Sequence, residues 1–168
     1  MSNQTKKVEG LKIVRQFNAP KQVIFDAFST AEAMSAWWGP AGMEVKVKTF
    51  DFTPGGTFHY SMEANGQTMW GLFKYETITP PSLITFISSF SDEQANICTS
   101  PFPMDFPLEI FNEIILTEDN GITTLTLQGH PIHASDAQTA TYHSIKQNMH
   151  EGFGATFDQL EKYLNLNC

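Results

Sequence analysis

Residues 135–165 carry the one long stretch of helical period in this chain. Set at about 100° per residue, Tyr142, Ile145, Met149, Phe153, Phe157, Leu160 and Leu164 fall within a single stripe. That is the pattern of a helix pressed against a large apolar surface. Most of the remaining chain alternates with a period of two, so the surface the helix covers is expected to be a sheet. The helix carries Gly152 and Gly154 in its interior, each costing up to about 1 kcal/mol relative to Ala. Gly152 sits at the edge of the apolar stripe, where a missing side chain either lets the helix approach the sheet or leaves room in a cavity beneath it. Gly154 lies further round and has no such role.

The strands follow from alternation and turn chemistry. Residues 8–17 read as a first strand with Leu11, Ile13 and Arg15 on one face. Asn18-Ala19-Pro20 breaks it, with Asn18 a candidate cap. Val23, Ile24, Ala27 and Phe28 form a short amphipathic helix. Ser29 or Thr30 ends it and caps a second short helix over 31–36. Trp37-Trp38-Gly39-Pro40 cannot continue that helix. From Glu44 the period is two. Val45 and Val47 are followed by Phe50 and Phe52 one step out of phase, a slip that predicts a bulge. Pro54-Gly55-Gly56, Asn65-Gly66, Pro80-Pro81 and Asp119-Asn120-Gly121 mark turns between strands over 58–62, 69–78, 83–90, 108–116 and 122–132. Residues 91–107 form a long polar loop that nonetheless holds Phe102, Met104 and Phe106, and such segments are often functional. The order is one strand, two short helices, six strands and one long helix. Antiparallel strands with their helices gathered to one side predict an α+β fold, a curved sheet of six to seven strands around the C-terminal helix.

Bulk properties remove several functional classes. The length, 168 residues, suits one domain with a core that needs neither disulfides nor metals. The two cysteines, Cys98 and Cys168, are expected to stay unpaired in a reducing, cytoplasmic compartment. Residues 1–10 are polar, so no signal peptide is expected, and no run is long enough to span a bilayer. A net charge of −8 argues against nucleic acid or an anionic membrane as partner. Fourteen phenylalanines supply a large apolar surface with flat walls.

Several collinear motifs resemble one family. They are Asn18-Ala19-Pro20 with Val23 and Phe25, Trp37-Trp38-Gly39-Pro40 with Gly42, and Asp51 followed by Pro54-Gly55-Gly56. Pro80-Pro81-Ser82-Leu83, Phe90-Ser91-Asp92-Glu93, Pro107-Leu108-Glu109 and Glu151-Gly152-Phe153 continue the set. Together they resemble the activator of the ninety-kilodalton heat-shock chaperone ATPase homologue family, within the START-like, or Bet v-like, helix-grip superfamily (SRPBCC). The resemblance spans essentially residues 11–164. Thr53 stands where many relatives have Arg, and Phe153 where many have Trp; both differences bear on what fits inside. The resemblance implies a hydrophobic cavity between helix and sheet and, from the family name, a chaperone as an alternative partner. It supplies no catalytic motif, and the fold alone is a weak warrant for function.

The candidate ligand-binding residues follow from alternation and that cavity. Phe58, Tyr60, Met62, Phe73, Phe86 and Ile114 are expected to face the helix, with Leu125 beside them. Met149 and Phe153 answer from the helix, and Trp37 and Trp38 stand at one end. The two tryptophans are adjacent and cannot share a helix face, so one is expected to plug the core and the other to face a pocket mouth or solvent. Asn112 shares the wall of Ile110 and Ile114, where an amide costs free energy unless partnered. It either orients a ligand's carbonyl or hydroxyl or is satisfied by backbone or water. The expected ligand is a small apolar or aromatic molecule. The exposed aromatic loop also offers a surface for a homodimer.

Metal, cofactor and nucleophile chemistry find no motif. His130 and His133 are three apart at a strand end, and His143 and His150 are two helical turns apart, roughly 10.5 Å, too far to share one ion. No Cys-x-x-Cys, His-Glu-x-x-His, Gly-x-Ser-x-Gly or phosphate-loop pattern occurs. Glu109, Glu113 and His150 are the remaining acid–base candidates, and only folding can bring them together.

Overall fold

Alternating apolar and polar residues put one face of each strand against the helices and leave the other to water. The computed structural model describes residues 10–38, 44–64, 66–99 and 105–166. Its strands are β1 (Leu11–Phe17), β2 (Glu44–Phe50), β3 (Thr57–Ala64), β4 (Gln67–Thr79), β5 (Leu83–Ser91), β6 (Glu109–Asp119) and β7 (Ile122–Ile132). All pair antiparallel in one sheet of order β1-β7-β6-β5-β4-β3-β2. From β2 to β7 each strand lies beside the next. Only β1 crosses over, through α1 (Lys21–Phe28) and α2 (Ala31–Trp37), so β1 and β2 are the two edges. The result is the expected α+β helix-grip architecture, a curved seven-stranded sheet with its helices on the concave side.

Local chemistry accounts for the turns and bends. The slip between Val47 and Phe50 is a register shift between Val47 and Thr49. The β6–β7 hairpin turns on Asn120 and Gly121, both with positive φ (53° and 80°), as a two-residue turn of matching twist requires. Thr30 caps α2 by accepting from the Ala33 N–H at 3.1 Å. Asn18 does not cap α1: Pro20 holds the N-cap position without a side-chain hydrogen bond. Val8, the Gly39-Pro40-Ala41-Gly42 segment, Asn65, Phe102, Met104 and Cys168 lie outside the described residues.

The C-terminal helix differs from expectation. It is two helices, α3 (Asp136–Ser144) and α4 (Lys146–Leu166), broken at Ile145, which has φ −112° and ψ 13°. Two hydroxyl-to-carbonyl bonds precede the break. Thr141 Oγ1 donates to the Ala137 carbonyl at 3.0 Å and Ser144 Oγ to the Thr141 carbonyl at 2.7 Å, competing with the helix ladder. Ser135 opens α3 with a capping box, its Oγ accepting from Gln138 N at 3.1 Å while Gln138 Oε1 accepts from Ser135 N at 3.0 Å.

Two anchors fix these helices. Tyr142 drives its hydroxyl between β1 and β7, accepting from Leu11 N–H at 3.2 Å and donating to the Gly129 carbonyl at 3.0 Å. At the other end Phe157, Leu160 and Leu164 are buried against the core. There Phe157 meets Phe17 edge-on, centroids 6.3 Å apart, and stacks on Trp37 at 6.5 Å. Arg15 ties the edge strand to α4 through Asp158 (2.6 Å), Glu161 (3.0 Å) and the Gly154 carbonyl (3.2 Å).

Gly152 brings no close approach. A Cβ built on either helix glycine meets no atom within 4 Å, so Gly152 is not there to let the helix touch the sheet.

Candidate functional site: the concave face under the last helix

Directly paired residues of neighbouring strands point to the same side of a sheet, so the register sorts the candidates. One row runs Phe58, Phe73, Ser88, Ile110, Pro131 across β3 to β7, and the next runs Tyr75, Phe86, Asn112, Gly129 across β4 to β7. Tyr60 pairs with Gly71, Met62 with Met69 and Ile114 with Leu127. Phe58, Tyr60, Met62, Phe73, Phe86, Asn112, Ile114 and Leu125 therefore share the concave face.

Within that face the residues divide into a floor and a rim. Phe58, Phe73, Phe86 and Ile114 are buried. Phe73 stacks on Phe86 at 4.1 Å and meets Phe58 edge-on at 5.2 Å. Trp37 is buried and donates its indole N–H to the Ala27 carbonyl at 2.8 Å; it is the plug. Trp38 is only half-buried, 5.3 Å from Phe73 and 6.3 Å from Phe153. It occupies the rim with Met62, Ile110, Met149 and Phe153, all partly buried.

The helix shows the same division along its length. Phe157 and Leu160 are 1 % and 0 % exposed, while Ile145, Met149 and Phe153 on the same stripe are only partly buried. The first half of α4 presents apolar side chains that the protein does not fully cover, and the rim residues of the sheet do likewise.

Few polar groups enter this face. Asn112, 6 % exposed, donates its Nδ2 hydrogens to Ser88 Oγ at 3.0 Å and to the Ile110 carbonyl at 3.1 Å. The carbonyl can only accept, so the amide orientation is fixed and Oδ1 is the other end. Oδ1 lies over Gly129, 2.9 Å from where a Cβ would stand. Among the described residues no donor reaches Oδ1, and the Ser88 hydroxyl proton has no acceptor. Tyr60 lies across Gly71, whose Cβ would stand 2.5 Å from the ring. Burial pushes the Tyr60 pKa up to about 12, with the Trp38 side chain pulling against it. Burial, and then the nearby Tyr60, push Tyr75 up as well.

The loop after β5 has more structure than its composition suggests. Ser91 bridges to Ile97, and Asp92 accepts from the N–H groups of Gln94 and Asn96 at 2.9 Å each and from the Asn96 side chain at 3.1 Å. The Asn96 backbone, then its side chain, hold the Asp92 carboxyl pKa down. On the convex face His59 meets Ser91 Oγ (3.1 Å) and the Asp92 carbonyl (3.0 Å) and stacks on Trp70 at 4.9 Å. Past residue 104, Phe106 turns inward against Phe90 (6.0 Å) and Tyr142 (6.3 Å).

The acid–base candidates do not converge on the concave face. By register Glu109 and Glu113 fall on the convex side, and His150 is exposed on α4. No group of three metal-ligating side chains occurs among the described residues, and no helix there is long and apolar enough to cross a membrane. Two surface grooves lie elsewhere, one along Arg15, Asp158 and Glu161, the other over Lys46, Lys48, Trp70 and Glu93. Neither is lined by any residue expected to bind a ligand.

The family model described as Activator of Hsp90 ATPase homolog 1-like protein matches residues 18–165. The chain belongs to this family. No curated protein matches it. Among solved structures, a Staphylococcus epidermidis protein is 24 % identical with a TM-score of 0.77, covering 100 % of this chain and 96 % of its own. A Mycobacterium smegmatis protein is 21 % identical with a TM-score of 0.77, covering 99 % and 97 %. A Silicibacter pomeroyi protein bearing the family's name is 20 % identical with a TM-score of 0.72, covering 95 % and 99 %. At these identities the likeness establishes the helix-grip fold.

Three residues of this face in the family member escaped the sequence reading as site candidates. Ser88 was legible in the alternation Ile84, Phe86, Ser88, Phe90, and Ile110 in its position two residues before Asn112. Phe106 had no such signal, because its orientation depends on the path of a loop.

Proposed function

We propose that this protein binds a small, mostly apolar molecule between the first half of α4 and the concave face of the sheet. One observation carries the reading: the apolar stripe of the last helix is fully buried at its C-terminal end and only partly buried over Ile145, Met149 and Phe153. Trp38, Met62 and Ile110 stand partly buried on the facing side. The buried Trp37, Phe58, Tyr60, Phe73, Phe86 and Ile114 form the floor, and Asn112 supplies a polar group. Covering the rim would contribute about 25 cal/mol per Å² of apolar surface, less the cost of ordering the ligand.

The uncharged fluorophore N-phenyl-1-naphthylamine tests this. Saturable one-to-one binding is expected, weakened about tenfold or more by Met149→Trp, which fills the space, and unchanged by Val14→Lys on the opposite face of β1. Absence of saturable binding, or equal affinity in the Met149 variant, removes the reading. Native mass spectrometry of protein from its own host would then identify the natural ligand.

The family's name supports a second reading, regulation of a chaperone ATPase through a surface contact. Ile97 and Leu108, 47 % and 42 % exposed, flank residues 100–104 and would supply an apolar docking edge, also available to a second copy of this chain. Stimulation of a chaperone ATPase by the native chain, lost in Ile97→Asp, is the result this reading requires.

A further inference from the structure

Besides the tyrosine hydroxyls, the concave face carries one adjoining pair of polar side chains, Ser88 and Asn112, with hydrogen-bonding capacity left over. Asn112 spends both amide hydrogens on Ser88 Oγ and the Ile110 carbonyl. That leaves Oδ1, on a residue only 6 % exposed, as an acceptor that no described residue meets. Ser88, having accepted from Asn112, keeps a hydroxyl proton to donate. The two residues sit on adjacent strands of the concave face, Asn112 opposite Phe86 and Ser88 opposite Ile110, with Gly129 contributing no side chain above Oδ1.

One acceptor beside one donor is complementary to a group that is itself both. A hydroxyl fits: its proton goes to Asn112 Oδ1 while its oxygen accepts from Ser88. An ether or carbonyl oxygen can only accept, which leaves Oδ1 unmet and buried. A carboxylate would set its charge against Oδ1 on an apolar wall, where burying an unpaired charge is costly. We infer that the Ser88–Asn112 pair recognises a single hydroxyl group on an otherwise apolar ligand. The inference rests on the cavity reading above and narrows the ligand class to apolar alcohols and phenols.

Competition against N-phenyl-1-naphthylamine with three ring-matched compounds tests it: naphthalene, 2-methoxynaphthalene and 2-naphthol. In the native chain 2-naphthol is expected to displace the fluorophore at about tenfold lower concentration than 2-methoxynaphthalene, the range of one well-made buried hydrogen bond with a second left unmet otherwise. Asn112→Leu and Ser88→Ala should each bring the two compounds within about twofold of each other, with displacement in each variant referred to that variant's own fluorophore Kd. Ser88→Ala deletes a single oxygen and carries the test should Asn112→Leu not fold. Equal displacement by both compounds in the native chain, or a preference that survives in Ser88→Ala, overturns the inference and leaves the cavity reading standing. Failure of the fluorophore and of naphthalene to bind at all overturns both.

Discussion

Tyr142→Phe removes one oxygen from the junction of α3, β1 and β7, and its cost can be worked from the geometry. The ring stays, so its packing near Phe106 is kept. What goes is an acceptor for the Leu11 N–H and a donor to the Gly129 carbonyl. Both backbone groups belong to buried residues, and a buried polar group left without a partner costs about 1–3 kcal/mol. Some relaxation is expected because β1 is an edge strand, so the pair together should cost about 3 kcal/mol. For a chain of this size that is a fall in Tm of roughly 6–12 °C. Urea unfolding followed by tryptophan fluorescence should show the midpoint lowered with the m-value unchanged. Amide exchange should accelerate at Leu11 more than at β5 or β6. A loss below about 0.5 kcal/mol, with Leu11 exchange unaltered, would mean that Tyr142 does not hold α3 to the sheet edge.

Other consequences are shorter to state. Gly152→Ala should stabilise the protein by about 0.5–1 kcal/mol, since a Cβ there meets nothing within 4 Å and a helical glycine carries that penalty; a lower Tm would show a packing need that the geometry does not contain. Gly71→Ala should cost about 1–3 kcal/mol by overpacking, because its Cβ would stand 2.5 Å from the Tyr60 ring, and should alter Trp38 fluorescence; a neutral result would show that Tyr60 yields freely. Tyr60, Tyr75 and Tyr142 all have folded pKa values raised above the ordinary 10.0. The folded state therefore holds their protons more tightly, so this stability is fully present below about pH 10 and is lost as pH climbs toward about 12. Phenolate absorbance from these rings should rise together with unfolding, and a rise well before it would refute the burial assignment.

Period and turn chemistry made most of the fold legible. The phase slip at Val47 to Phe50 is a register shift, Asn120-Gly121 is a two-residue turn, and the inward set of the sheet follows alternation from Phe58 to Leu125. The errors have physical sources. The break at Ile145 is a change of backbone dihedrals at one residue inside an uninterrupted apolar stripe, invisible to a count of apolar residues. The Asn18 cap failed because α1 begins at Lys21, which puts Pro20 and not Asn18 at the N-cap position. For the site, alternation could name a wall, and it placed Asn112 correctly on it. It could not say which wall residues would be covered, because that depends on where the helix comes to rest.

The resting position follows from the anchors. Tyr142 pins α3 to the β1–β7 edge, and Phe157, Leu160, Leu164 and Arg15 pin the far end of α4 to β1 and to Trp37 of α2. The first attachment is at the β1–β7 edge; the second joins β1 to α2, which itself packs on β2 at the other edge. Between them Met149 and Phe153 pack partly buried against the core, Phe153 meeting Trp38 at 6.3 Å, while α4 packs chiefly against β1 and α2. The partly buried side chains of the helix over Ile145, Met149 and Phe153 and those of the sheet rim, Met62 and Ile110, are the surfaces that the proposed ligand would cover. The break at Ile145 lies just before that segment, so on the binding proposal substitutions at Thr141 and Ser144 should change fluorophore affinity without removing any residue proposed to touch the ligand.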